Sequence, residues 1–247
     1  MDEAQDLKTT DWKNTDKRFV AFFDILGFRD LVMRSTHSEI YKLLTLLSKY
    51  RATLNGVENF EGLPESYKNA GIYNVSFSDS IVIFSKGDSL ENFEIFTLMT
   101  GWFFANAIAM KIPIKGALAT GEISLNKSNQ IYFGQPIIDA YLLEEELNYM
   151  GIVAHNSIDN YIEKIPDDNY FKNGYKEILT PLKCGNISHL NYNWFRDFEN
   201  VMGVDNKNEF LKSKIKEFNK QISGSPRRYI DNTIKVIDEI YPLHKIQ

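Results

Sequence analysis

The sequence predicts an α+β fold: a ferredoxin-like antiparallel sheet with helices packed on it, and a helical C-terminal extension. Three observations lead there. Short β-rich apolar runs alternate with segments of helical period in the order β-α-β-β-α-β-β-α-β. Two of those runs, Ile72–Phe77 and Ile81–Phe84, are split only by Ser78-Asp79-Ser80, a hairpin signal. After residue 200, lysines interleave with apolar residues at helical spacing, and a second amphipathic segment follows the break Ser223-Gly224-Ser225-Pro226.

Residues 1–17 are acidic and polar and read as a flexible leader, the wrong composition for a signal peptide. Phe19 to Leu26 reads as a buried strand closed by Gly27. Leu31, Val32, Ile40, Leu43, Leu44 and Leu47 then predict a helix or helix pair from about Phe28 to Arg51. Residues 55–70, rich in Asn, Gly, Glu and Pro, form a loop before the hairpin. Asp88 or Ser89 caps a helix running to about Met110. Ile112–Leu118 is a strand that Gly121 and Ile123 extend, Ile131–Phe133 pairs with it, Gln135–Met150 is helical and Gly151–Ala154 is the closing strand. This gives a main domain over 18–155. Residues 156–247 form an irregular, aromatic-rich and then helical extension packed on the same domain, with helices at Asn206–Ile222 and Arg227–Tyr241.

The 247 residues suffice for one substantial core, and 43% hydrophobic with 25% charged residues is an ordinary globular composition. A net charge of −5 and a pI near 5.5 argue against nucleic acid as the main partner, because phosphate backbones need a basic face. The single cysteine, Cys184, fits a reducing, cytoplasmic setting. No apolar run approaches the ~20 residues of a membrane span, so no direct membrane association is expected. The four histidines, His37, His155, His189 and His244, lack metal-ligand spacing.

Chemistry is expected where charge interrupts the strands. Asp24 ends the first strand and Asp79 sits at the hairpin turn. A carboxylate at a core edge is costly unless it is paired or bound to metal. The first strand and the hairpin lie side by side in such a sheet, so the two carboxylates can converge into a Mg²⁺ or Mn²⁺ site. Each can equally be a turn-capping aspartate. The turn Ile25-Leu26-Gly27-Phe28 runs from strand to helix, an arrangement that favours a phosphate.

Three blocks then resemble class III nucleotide cyclases. Phe23-Asp24-Ile25-Leu26-Gly27-Phe28 is similar to their opening metal motif, and Phe77-Ser78-Asp79-Ser80 to their metal-bearing hairpin. Lys115-Gly116-Ala117, Thr120-Gly121-Glu122, Tyr132-Phe133-Gly134 and Ala140-Tyr141-Leu142-Leu143-Glu144 are similar to the region beyond, and the likeness spans residues 19 to about 150. It implies a homodimer with active sites at the interface. It also implies a nucleoside triphosphate substrate and two divalent metal ions (Mn²⁺ or Mg²⁺) held by Asp24, Asp79 and the backbone carbonyl of Ile25.

The departures narrow the likeness. Ser76 stands where purine cyclases place a base-reading lysine, Ile131 near its acidic or threonine partner, and Ile138 and Leu142 at the transition-state Asn and Arg positions. This pattern looks like the pyrimidine (uridylate or cytidylate) cyclases of bacterial Pycsar anti-phage systems, which implies a cyclic UMP or cyclic CMP messenger read by a separate effector, with UTP preferred over CTP as substrate. The alternatives are a purine cyclase or an inactive cyclase-like nucleotide-binding protein. Asp24 and Asp79 are the catalytic candidates; Phe22, Leu26, Gly27, Phe28 and Lys115 are the nucleotide-binding ones. Lys115 either donates to a base carbonyl or phosphate or lies at a strand edge in solvent. Phe22 lies beneath the nucleotide or packs in the core, and Tyr141 walls the base or meets a second chain. The face carrying Lys212, Lys214, Lys216 and Lys220 reads as solvated.

Overall fold

The structure, a computed structural model, describes residues 12–56, 64–196, 208–220 and 224–240. The first eleven residues of the expected leader, the loop segment 57–63, His244 and the outer ends of the two C-terminal helices (206–207, 221–222 and 241) lie outside them.

Strand β1 (Thr15–Ile25) pairs antiparallel with β3 (Ser80–Ser85) on one side and β4 (Ile114–Asn126) on the other. β2 (Ile72–Phe77) pairs with β3 through the two-residue turn Ser78-Asp79, where Ser78 takes φ 57°. The series β2-β3-β1-β4 is the predicted antiparallel core. Beyond it come the expected closing strand and a hairpin that the sequence does not announce. β6 (Ile152–Ala154) runs parallel to β4, and β8 (Gly185–Tyr192) and β7 (Tyr175–Leu182) complete the order. β5 (Ile131–Phe133) is a short arm on the far end of β4.

Two expectations are corrected here. Residues 156–196, expected to be irregular, hold helix α5 (Asn156–Ile162) and the β7–β8 hairpin. Thr15–Lys17 belong to β1 rather than to a flexible leader, because their backbone pairs with Ser124–Glu122 of β4.

Helices α1 (Phe28–Arg34) and α2 (His37–Leu54) are a pair, as Thr36 opens α2 with a capping box. Its hydroxyl accepts from Glu39 N, and the Glu39 carboxylate accepts from Thr36 N at 2.8 Å. Helix α3 (Leu90–Ala109) is capped by Ser89 and apolar almost all round, the pattern of a helix buried on every side. One face meets the sheet, where Phe19 packs on Phe93 and Phe96. The other is covered by the later chain: Thr97 bonds the Tyr175 hydroxyl at 3.0 Å, and Phe104 packs 4.8 Å from Trp194.

Helix α4 (Gln135–Glu146) ends four residues before the expected Met150. Pro136 occupies its first turn, where the missing N–H costs nothing. Helices α6 (Asn208–Glu217) and α7 (Arg227–Ile240) add Leu211, Ile215, Ile230, Val236 and Ile237 to the same buried cluster as Phe19, Phe23 and Phe103.

The two-residue period of β1 sorts its side chains. Phe19, Ala21, Phe23 and Ile25 enter the large core, and Val20 and Phe22 enter a smaller cluster with Ala140 of α4. Asp24 continues the second series, so it faces the α4 side.

Candidate active site

Asp24 lies opposite Ser80 of β3 and opposite Lys115 of β4. Asp79 precedes Ser80 at the hairpin turn, so the two carboxylates meet at one corner of the sheet. Their coupling is visible in proton affinity. The Asp24 carboxyl is pushed up to about 6, first by burial and next by the Asp79 charge, with Glu145 adding to the rise and Lys115 and Ser80 opposing it.

Lys115 is only 5% exposed, which removes the solvent-edge reading. Its ammonium donates to the carbonyls of Glu144 (2.7 Å) and Glu145 (3.4 Å) and lies 3.0 Å from the Glu144 carboxylate. The last turn of α4 is short of helical donors, and a buried cation adds to the Leu147 N–H at Glu144 O and also reaches Glu145 O. The Glu144 carboxyl is itself pushed up to about 7 by burial, against the pull of Lys115 and with further rise from Asp24 and Glu145. The Glu144 carboxylate, the carbonyls of Glu144 and Glu145, and the charge of Asp24 therefore all act on one ammonium.

Phe22 and Tyr141 meet edge to face at 5.3 Å on the same side as Asp24. The Tyr141 phenol is raised by its hydrogen bond to Glu145 and by that residue's charge. These rings form an aromatic shelf beside the carboxylates. The turn after β1 is less open than expected. Leu26 N donates to Pro113 O at 2.8 Å, Leu26 packs against the large core, and the Phe28 ring is buried. Among the described residues the amides of Gly27 and Phe28 make no such bond, and Gly27 holds φ 70°, a conformation that suits glycine. The Ile25 side chain is 1% exposed, so only its backbone can serve a site.

Among the described residues no group of three or more His, Cys, Asp or Glu side chains has metal-binding geometry. Two carboxylates with excess local negative charge nevertheless fit hard divalent cations that also draw oxygens from a phosphate substrate. A cleft bounded by Thr120, Glu122, Gly134, Gln135 and Asp139 opens at the other end of β4 and contains neither aspartate.

Glu144 and Glu145 have no role in the sequence reading, although a glutamate one turn after Ala140 on the buried face of α4 marks a paired charge. The four departures from the purine pattern are on the surface. Ser76 is exposed, and Ile131, Ile138 and Leu142 are 48%, 52% and 53% exposed.

No protein-family model matches the chain and no curated protein does. Solved structures do. The guanylyl cyclase domain of the RhoGC fusion protein from the aquatic fungus Blastocladiella emersonii aligns with TM-score 0.53 and 13% identity, over 73% of this chain and 98% of its own. The adenylyl cyclase CyaB from P. aeruginosa aligns with TM-score 0.51 and 13% identity, over 78% and 96%. The guanylate cyclase domain of RhGC from Catenaria anguillulae, solved in complex with GTP, aligns with TM-score 0.50 and 14% identity, over 73% and 98%. Among the described residues no helix is long and apolar enough to cross a membrane. The mixed sheet, with helices packed on it and Asp24 and Asp79 at its corner, has the fold of a class III nucleotide cyclase domain.

Proposed function

We infer that the protein is a metal-dependent nucleotide cyclase acting on UTP or CTP. The observation that carries this reading is the coupled pair Asp24 and Asp79 at a half-buried, electronegative corner of a cyclase-type sheet. The ribose 3′-oxygen attacks the α-phosphorus and its proton passes to solvent. Pyrophosphate then leaves, giving the 3′,5′-cyclic monophosphate. Asp24, Asp79 and the Ile25 carbonyl would hold two divalent ions (Mn²⁺ or Mg²⁺). Such ions supply a lowered pKa for the attacking hydroxyl and neutralise the triphosphate.

This chain's own residues orient the substrate. Phe22 and Tyr141 offer the aromatic shelf for the base, and the Gly27 and Phe28 amides face a phosphate while Leu26 fixes the turn. Lys115, held by Glu144, acts on the nucleotide through its charge beside Asp24. The pyrimidine preference rests on Ser76 and Ile131, which stand where a purine cyclase has a lysine and an acidic or threonine residue. The product would be a cytoplasmic messenger for a separate effector, in the manner of anti-phage signalling.

A homodimer is part of the reading. Phe133, Ile138, Tyr141 and Leu142 are large, apolar and 40% or more exposed on β5 and α4. A second copy would cover them. The solved structures with this fold are guanylyl and adenylyl cyclases, which favours ATP or GTP as the second reading.

The test is incubation of the protein and Mn²⁺ with each of the four α-labelled ribonucleoside triphosphates. Cyclic UMP or cyclic CMP, lost in Asp24→Ala and Asp79→Ala variants that keep their fold, is the expected result. A sole product from ATP or GTP would establish the purine reading, and turnover in either variant would end the assignment.

A further inference from the structure

A second cleft, of about 290 Å³, lies between α2 and the β2–β3 hairpin. Leu44, Leu47, Ser48 and Arg51 form one wall; their spacing of three, one and three residues places them on a single stripe of α2. Across from them Ser76 of β2 pairs with Ile81 of β3. Leu47 and Ile81 belong to the large core, not to the Phe22 cluster on the Asp24 side, so the cleft opens on the other face of the sheet. Its two walls are bonded together. Asn74 Nδ2 donates to Arg51 O at 2.9 Å and to Asn55 Oδ1 at 2.7 Å, and Asn74 N donates to Asn55 Oδ1 at 3.0 Å. These bonds seat the last turns of α2 on β2, so the fold itself brings Arg51 and Ser76 to one cleft.

The cleft holds an unanswered cation. Arg51 is half-buried, and among the described residues its guanidinium has no hydrogen bond and no ion pair. Its Nε is shielded from solvent without a partner. Burial lowers the proton affinity of the group, and no neighbouring charge adds to that shift or opposes it. A guanidinium drawn out of water without acceptors is costly unless a ligand supplies them. The other polar groups in the lining are serine hydroxyls. Ser48 donates to Thr45 O at 2.8 Å, whereas Ser76 and Ser78 bond no protein group among the described residues. Among those residues no carboxylate lines the cleft. A fork of N–H donors facing free hydroxyls suits a tetrahedral oxyanion. The space is about ten times the ~30 Å³ share of one water in the liquid, which admits phosphate or pyrophosphate.

We propose that this cleft is an anion site, separate from the Asp24–Asp79 corner, in which Arg51 and the hydroxyls of Ser76 and Ser78 bind the phosphate group of a small molecule. Ser78 directly precedes Asp79, so an occupant touches the turn that carries that carboxylate. The site stands without the cyclase reading, since neither a metal nor a nucleotide enters its make-up.

The experiment is calorimetric titration of the full-length protein with inorganic phosphate and with pyrophosphate, in EDTA and at fixed ionic strength. Without metal the acidic corner repels both anions, so binding reports the cleft. Wild type is compared with Arg51→Gln, which removes the charge, and with Ser48→Asp, which sets a carboxylate beside the guanidinium at an exposed position and keeps the test valid if Arg51→Gln fails to fold. Binding of pyrophosphate at one site per chain is expected. Loss of hydrogen bonds to a charged group corresponds to roughly 10- to 100-fold weaker binding, expected in both variants. Asp24→Ala should bind as wild type does. No binding of either anion by wild type, equal binding in the two cleft variants, or loss of binding in Asp24→Ala would overturn the proposal, and each would leave the cyclase reading untouched.

Discussion

Replacing Asp24 by Asn should make the metal-free protein more stable while removing its activity. The carboxyl is raised from 3.8 to about 6 by burial and by Asp79, so keeping it ionised costs folding free energy. At about 1.4 kcal/mol per tenfold change in proton affinity, the full effect is about 3 kcal/mol. Asp24 keeps part of its surface in water, and screening there reduces the expectation to about 1–2 kcal/mol. The sign follows from linkage. A carboxyl whose folded value exceeds its unfolded one contributes stability that is complete below about 4 and lost as pH rises through about 6. The difference between wild type and Asp24→Asn should therefore be small at pH 4 and fully open at pH 8.

For a chain of this size the gain corresponds to roughly 3–6 °C in melting temperature. The assay is thermal unfolding in EDTA from pH 4 to 8, repeated with Mn²⁺. Mn²⁺ at about a hundred times its dissociation constant should stabilise the wild type by about 2.7 kcal/mol and reverse the order of the two proteins. Equal melting temperatures at pH 8 in EDTA, or an equal gain from Mn²⁺ in both proteins, would refute the reasoning.

The Lys115–Glu144 pair gives a second expectation. Lys115→Met alone should cost about 3–5 kcal/mol in urea unfolding by leaving Glu144 buried without its cation, and adding Glu144→Leu should recover most of that loss. Ile138→Arg and Leu142→Arg, at exposed positions, should leave stability within about 0.5 kcal/mol but yield monomers in sedimentation velocity and abolish turnover. Gly116→Ala should cost about 1–3 kcal/mol in the same unfolding assay. A Cβ there would press into the Phe23 ring and lie 2.9 Å from the Phe22 carbonyl.

The parts of the fold that position the aspartates were legible because their residues are extreme in character. Phe19 to Ile25 is apolar enough to be a buried strand, and Ser78-Asp79 is polar enough to be a turn between two such strands. The β7–β8 hairpin escaped because its strands alternate poorly. Glu177, Thr180 and Pro181 interrupt one strand, Asn186, Ser188 and His189 interrupt the other, and the Lys183-Cys184 turn lacks the usual Asn-Gly chemistry. Thr15–Lys17 escaped for a related reason: the backbone of β4 makes them a strand, not their side chains.

At the site, Asp24 and Asp79 could be chosen from sequence because a charge between apolar residues is conspicuous. The confinement of Lys115 could not be, since its acceptors are carbonyls at a helix end thirty residues away. Nor could the seating of α7, which depends on how Asn232 and Thr233 bond residues 148–150.

The most direct measurement is anomalous diffraction from crystals grown with Mn²⁺ and 3′-deoxy-UTP. Manganese peaks bridging the Asp24 and Asp79 carboxylates and the triphosphate are expected. Manganese bound elsewhere, or a nucleotide seated without either aspartate, would contradict the account.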